Sequence, residues 1–513
     1  MFALSAMELS RSITEKKISV IEAVSAYMDR IEKNDSKFNA FITLAKDRAY
    51  TRAKEVQAQI DKGDAPSPLA GVPIALKDNI STIGIETTCA SKMLKGYEPV
   101  FNATVVDRLE QAGMIVIGKL NMDEFSMSSN GDTSFFGHVR NPWNLALSAG
   151  GACAGNGAAV AAGEAPLSLA SDSGGGIRRA CSFCGATGIK PSYGAVSRLG
   201  LIANVSSYDQ IGPMGKNIDD CAALLAVVSG ADGKDGACVL EKPFDFSNAD
   251  EGQAGSGRLD GIRIGLQRNF FASAGGISSG GISTDGISTD VKNAVLAAAQ
   301  EFEAAGAVVE EFDMPLTEYM LPAWYVIACA EASSNMARFD GLKFGYRSEN
   351  ARNLSDVYRL SRSEAFGMEV KRRIMFGTFV LSAENYHAYY TKAMQVRTLV
   401  KNAYNQLFDR FDVLLSPAAA SAAYALGAHT GIYTGDILNA GSSLAGLPAA
   451  VLPCGFSFSP QDSQGKDCLQ SNSCLPIGLQ LTGKAFSEKK LVNISRIYQS
   501  RTDHHAKING GVI

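Results

Sequence analysis

Apolar residues recur at helical spacing from Ser5 to about Gly63, with Val20, Ala23, Val24, Ala26, Tyr27 and Ile31 on one face and Asp35-Ser36 as the expected stop. Met1 to Ser10 reads as an amphipathic helix, without the basic segment and unbroken apolar run of a signal peptide. Residues 1–63 are therefore expected to form a helical N-terminal subregion. After Pro66-Ser-Pro68 the texture changes to short apolar runs alternating with helical stretches: Val72–Leu76, a helix over about 103–112, then Met114–Gly118. The same grammar returns in Ile262–Leu266, a helix over about 290–305, Ala307–Phe312, long helices over about 383–409, Asp412–Ser416, Ala450–Cys454 and Ile477–Leu481. Such alternation predicts a largely parallel sheet covered by helices, in one large α/β domain over 64–502 with 503–513 as a tail. The Gly-Ile-Ser repeat of 275–289 and the Ser/Gln/Asp/Asn-rich 457–473 are expected to be surface loops.

Charge and length narrow the class. The 513 residues carry 48 Lys plus Arg against 52 Asp plus Glu, a net charge of −4 without long runs of one sign. That excludes a polybasic membrane anchor or a non-specific nucleic-acid coat. Apolar stretches are broken well before the ~18 residues of a membrane span, so a cytoplasmic protein with no membrane partner is expected. The ten cysteines are scattered through a long chain, a usage that suits free buried thiols. Cys181-Ser-Phe-Cys184 lacks the second pair or the histidines that zinc needs, so no metal is expected.

The densest chemical signal is Gly150-Gly-Ala-Cys-Ala-Gly-Asn-Gly157 followed by Ser171-Asp-Ser-Gly-Gly-Gly-Ile-Arg-Arg179. Paired glycine clusters bring backbone N–H groups close to a ligand, because glycine alone permits the approach and the positive φ. Neither cluster fits a phosphate-binding or dinucleotide-binding pattern.

These clusters, with Leu69-Ala-Gly-Val-Pro-Ile-Ala-Leu-Lys-Asp-Asn79, Gly118-Lys-Leu-Asn-Met-Asp-Glu-Phe125, Arg140-Asn-Pro-Trp143, Gly188-Ile-Lys-Pro-Ser-Tyr-Gly194, Asp209-Gln-Ile-Gly-Pro213, Glu369-Val-Lys-Arg-Arg-Ile374 and Leu475-Pro-Ile-Gly-Leu-Gln480, resemble the amidase signature family along nearly the whole chain. The Asn-Met-Asp-Glu-Phe and Val-Lys-Arg-Arg-Ile words resemble its tRNA-amidotransferase branch, in the A-type subunits. The resemblance implies an α/β fold with a mixed central sheet covered by helices on both faces, and catalysis by a Ser-Ser-Lys triad. The family lysine falls on Lys77, where a lysine buried beside hydroxyls can act as a base; a solvated strand end is the alternative.

The serines depart from the pattern. Where the family carries Gly-Gly-Ser-Ser-Gly-Gly-Ser, this chain places Ala152 at the bridging serine, and where it carries Asp-Thr-Gly-Gly-Ser-Ile-Arg, this chain places Gly176 at the nucleophile. Neither residue can form an acyl-enzyme or relay a proton. Further changes at Ala149, Ala154, Asn156, Arg179, Ala180 and Cys181 resemble drift around an abandoned centre. Cys153, Ser173 and Cys181 are candidate substitute nucleophiles, and the amides of Gly174, Gly175 and Gly176 a candidate oxyanion nest.

By resemblance, glutamine would be held by Arg362 at its carboxylate and Asp436 at its ammonium, beside Tyr325, with structural ion pairs as the alternative. The resemblance also implies B-like and C-like partner subunits, tRNA contact only through the complex, a small amide or amino acid as ligand, and no cofactor in this chain, with ATP and Mg on the B-like partner. Three readings follow: an A-type subunit that has lost glutamine hydrolysis and keeps a binding or assembly role; an amidase-family enzyme with an altered nucleophile or reaction, using Lys77, Asp172 or a cysteine; and a working amidotransferase subunit relying on free ammonia.

Overall fold

The computed structural model describes residues 1–247, 257–271, 286–428, 436–457 and 474–507. Its strands are β1 (Phe41–Leu44), β2 (Pro73–Lys77), β3 (Ile115–Leu120), β4 (Arg140–Asn141), β5 (Asn144–Ser148), β6 (Leu167–Asp172), β7 (Thr187–Lys190), β8 (Gln210–Gly215), β9 (Arg263–Gln267), β10 (Val308–Phe312), β11 (Val413–Pro417), β12 (Ala449–Ser457) and β13 (Leu475–Gly483). Eleven of them form one sheet in the order β1-β3-β2-β6-β8-β7-β12-β13-β11-β9-β10, while β4 and β5 pair separately.

The sheet is mixed, as the family resemblance implies, and not largely parallel as the alternation of runs predicts. Two parallel groups, β3-β2-β6 and β11-β9-β10, are joined through an antiparallel centre running β6-β8-β7-β12-β13-β11. The antiparallel strands are as apolar as the parallel ones because helices cover both faces. On β3, Val116 faces one buried cluster while Ile115 and Ile117 face another. A strand buried on both sides reads as a continuous apolar run and carries no sign of its direction.

The N-terminal helices Ala6–Thr14, Val20–Phe38 and Lys46–Asp61 form as their periodicity predicts. Asp35-Ser36 does not stop the second helix, which ends at left-handed Asn39. The Asp35 carboxylate instead accepts from the amides of Ala40 and Phe41, ordering the turn into β1. Because β1 pairs antiparallel with β3, residues 1–63 are joined to the main sheet and are not a purely helical unit. Asp220 ties the first helix down from afar, accepting from the amides of Ala6 and Met7.

Eight cysteines, including Cys181 and Cys184, are free and buried among the described residues, which fits small apolar fillers. Cys474 is an exception to the free-thiol expectation, being disulfide-bonded. Most of the two expected surface loops, 275–285 and 458–473, lies outside the described residues, as does the tail beyond Lys507. No described helix is long and apolar enough to cross a membrane.

Candidate functional site

Lys77 ends β2 and Asp172 ends the neighbouring parallel strand β6, so both sit where open α/β sheets place their ligand crevices. Lys77 is fully buried, which removes the solvated-strand-end alternative. Its Nζ lies 3.0 Å from Ser171 Oγ and 3.1 Å from the Ser171 carbonyl oxygen. Asn79 Nδ2 donates to the same hydroxyl at 2.9 Å.

The glycine clusters shape the rest. Gly150 and Gly151 have positive φ, and a Cβ on Gly150 would lie 2.7 Å from Ala180 Cα. This tight turn presses Ala152 and Cys153 against the end of β6. Cys153 Sγ donates to the Ser171 carbonyl at 3.1 Å. Burial raises the Cys153 thiol above its ordinary value, and the adjacent Lys77 offsets part of that rise. The sulfur also lies 3.0 Å from where a Cβ on Gly176 would stand.

The chain then turns at Gly175, at φ +120°, into the helix Gly176–Cys184. Asp172 caps that helix, accepting from the amides of Gly175 (2.7 Å) and Ile177 (3.1 Å). The Gly175 N–H is thus already engaged, and the expected three-amide nest is not intact. Arg178 clamps the same carboxylate with two hydrogen bonds, Nε to Oδ2 at 3.1 Å and Nη2 to Oδ1 at 2.9 Å. It reaches on to Ser442, Ser443 and Gln480. Burial pushes the Asp172 carboxyl up, but Arg178, together with Lys190 and the Gly175 amide, outweighs it and holds the group down at about 2.

Above Ala152, Ser171 and Gly176 lies a cavity of about 20 Å³, room for about one water molecule. Two groups fill the space around it. Trp324, from the helix Thr317–Met336, donates Nε1–H to the Ser173 carbonyl at 3.0 Å and lies on Gly174. Arg179 forms a buried ion pair with Asp436 across the cavity wall. Asp436 is therefore at the site, but its carboxylate is taken.

Arg362 lies elsewhere: its guanidinium donates to the carbonyls of Met336 and Phe339. Arg373 lines the cavity instead, with Trp324. Tyr325 stands behind that wall, its ring 5.7 Å from the Arg373 guanidinium and packed on Phe376. Arg373 stands in the Val-Lys-Arg-Arg-Ile word, so the sequence does carry a signal that could have found it. Ser171 likewise opens the second glycine-rich word, whereas Asn204, which also lines the cavity, carries no such signal.

Of the candidate nucleophiles, Ser173 lines the cavity but spends its hydroxyl on Asp209. Cys153 and Cys181 are buried in one apolar cluster beneath it. Among the described residues, no group of three His, Cys, Asp or Glu could hold a metal ion.

The Trp324 contact yields a direct test. A Cβ on Gly174 would overlap the indole ring, so Gly174→Ala is expected to lower stability by about 1–3 kcal/mol. Urea denaturation checks it; an unchanged midpoint would mean that the ring is not seated there.

Residues 22–492 match the family described as Amidase. The chain is 46% identical over 507 residues to the glutamyl-tRNA(Gln) amidotransferase A-type subunit of Lachnoclostridium phytofermentans, covering 97% of this chain and 98% of the relative. It is also 46% identical over 505 residues to the same subunit of Agathobacter rectalis, covering 97% and 94%. Among solved structures, the corresponding glutamyl-tRNA(Gln) amidotransferase subunit of Thermotoga maritima superposes with a TM-score of 0.76 at 33% identity, covering 99% of this chain and 97% of that one. A peptide amidase of Stenotrophomonas maltophilia superposes at 0.79 with 25% identity, covering 97% and 96%. Through that match and these near-full-length relatives, the chain belongs to the amidase family.

Proposed function

We propose that this chain is an A-type subunit of a heteromeric tRNA-dependent amidotransferase in which glutamine hydrolysis has been lost. The relatives at 46% identity carry that subunit's name. The observation that carries the loss is at Lys77: residues 152 and 176, where the family places its two serines, supply no hydroxyl beside the lysine. A further feature agrees with it: Asp436, the expected ammonium partner, is bound by Arg179.

In this reading the scaffold keeps an assembly role with B-like and C-like subunits in the cytoplasm. ATP, Mg and tRNA belong to the complex. A B-like subunit drawing on free ammonia would not need the missing hydroxyls. The test is ammonia release from glutamine and asparagine by the purified chain. None above buffer is expected, since removing a triad nucleophile costs on the order of 10³ to 10⁶ in rate. Turnover by the unaltered chain would overturn the proposal. Failure to co-purify with any B-like or C-like chain would remove the assembly role.

A further inference from the structure

With the family serine positions empty, one hydroxyl still touches the buried lysine. Ser171 Oγ lies 3.0 Å from Lys77 Nζ, within the range required of a nucleophile and its base. A second N–H, from Asn79 Nδ2 at 2.9 Å, fixes the oxygen and would stabilise it as it loses its proton. Ser171 lines the cavity, whereas Cys153 is fully buried and its thiol donates to the Ser171 carbonyl. The approach is narrow, and it favours a small acyl group whose leaving group stays outside.

We infer that Ser171 and Lys77 form a nucleophile–base pair that accepts small acyl groups from activated esters. Ser171 Oγ bonds to the ester carbonyl carbon as its proton passes to Nζ. The bond to the leaving oxygen then breaks, and Nζ returns the proton to the departing alcohol. Water hydrolyses the acyl-serine to the free acid and restores Ser171. The inference goes beyond the loss of glutamine hydrolysis and does not depend on it.

The full chain treated with p-nitrophenyl acetate provides the test. We expect p-nitrophenolate release with a hydroxylamine-labile acetyl group on the peptide containing Ser171, identified by mass spectrometry. Ser171→Ala is expected to abolish that adduct, and Lys77→Met to slow its formation on the order of 10²-fold. Absence of acetyl at Ser171 in the unaltered chain overturns the inference, whether or not either variant folds. An adduct that forms as fast in a folded Lys77→Met chain overturns it too. A parallel glutamine assay separates the two readings. Acetylation without ammonia release supports both; ammonia release that disappears with Ser171→Ala supports this pair and removes the proposed loss of glutaminase.

Discussion

Arg178→Met is expected to cost about 3–5 kcal/mol of folding free energy, the cost of stranding a buried charge by removing its partner. Arg178 and Asp172 are both fully buried, and the guanidinium supplies two of the hydrogen bonds that the carboxylate accepts. The same arginine joins β6 to Ser442 and Ser443 and to Gln480 on β13, so its loss uncouples segments far apart in sequence.

The pH dependence gives a second readout. The folded Asp172 carboxyl sits at about 2, below its ordinary 3.8. A depressed carboxyl stabilises the fold above the unfolded value and loses that contribution as pH falls through the folded one. Its contribution, on the order of 2 kcal/mol, is therefore present above about pH 4 and lost between about pH 4 and 2. Urea midpoints measured from pH 7 to 2 should show this acid limb in the unaltered chain and a weaker one in Arg178→Met. Equal limbs in the two proteins would show that Arg178 does not hold the Asp172 carboxyl down.

Restoring the family triad is the second large effect, and the structure sets its order. Gly176 does not have positive φ, so its backbone accepts a serine. The obstacle is Cys153 Sγ, 3.0 Å from the new Cβ, with the Ser171 carbonyl at 3.1 Å. Gly176→Ser alone, or with Ala152→Ser, is therefore expected to remain silent. Adding Cys153→Ser replaces the sulfur with a smaller oxygen, and Arg179→Gln frees Asp436 from its ion pair. The four changes together are expected to raise ammonia release from glutamine by on the order of 10³-fold or more over the unaltered chain. A folded quadruple variant that stays silent would place the loss outside these positions. Full activity from Gly176→Ser alone would show that the sulfur gives way.

The strands and helices were legible along the chain because burial on one or two faces leaves a periodic or continuous apolar trace. Pro73–Lys77, Ile115–Leu120, Thr104–Gln111 and Thr289–Ala304 all lie within a few residues of their predicted places. The missing hydroxyls at Ala152 and Gly176 were equally legible, since a family word shows a substitution directly. Strand direction was not legible in the apolar pattern, because a strand covered by helices on both faces looks the same either way round; the antiparallel centre rests on the pairings of β7, β8, β12 and β13.

The site's occupancy was also decided by tertiary structure. Arg179 and Asp436 are 257 positions apart, and nothing local to either announces that one neutralises the other. Whether Arg362 or Arg373 reaches the cavity depends on how two neighbouring helices are turned, and the turn of a third puts Trp324 on the cavity with Tyr325 behind it against Arg373. Sequence therefore determined which groups this protein possesses, and the packing of the helices over the sheet decided which of them meet.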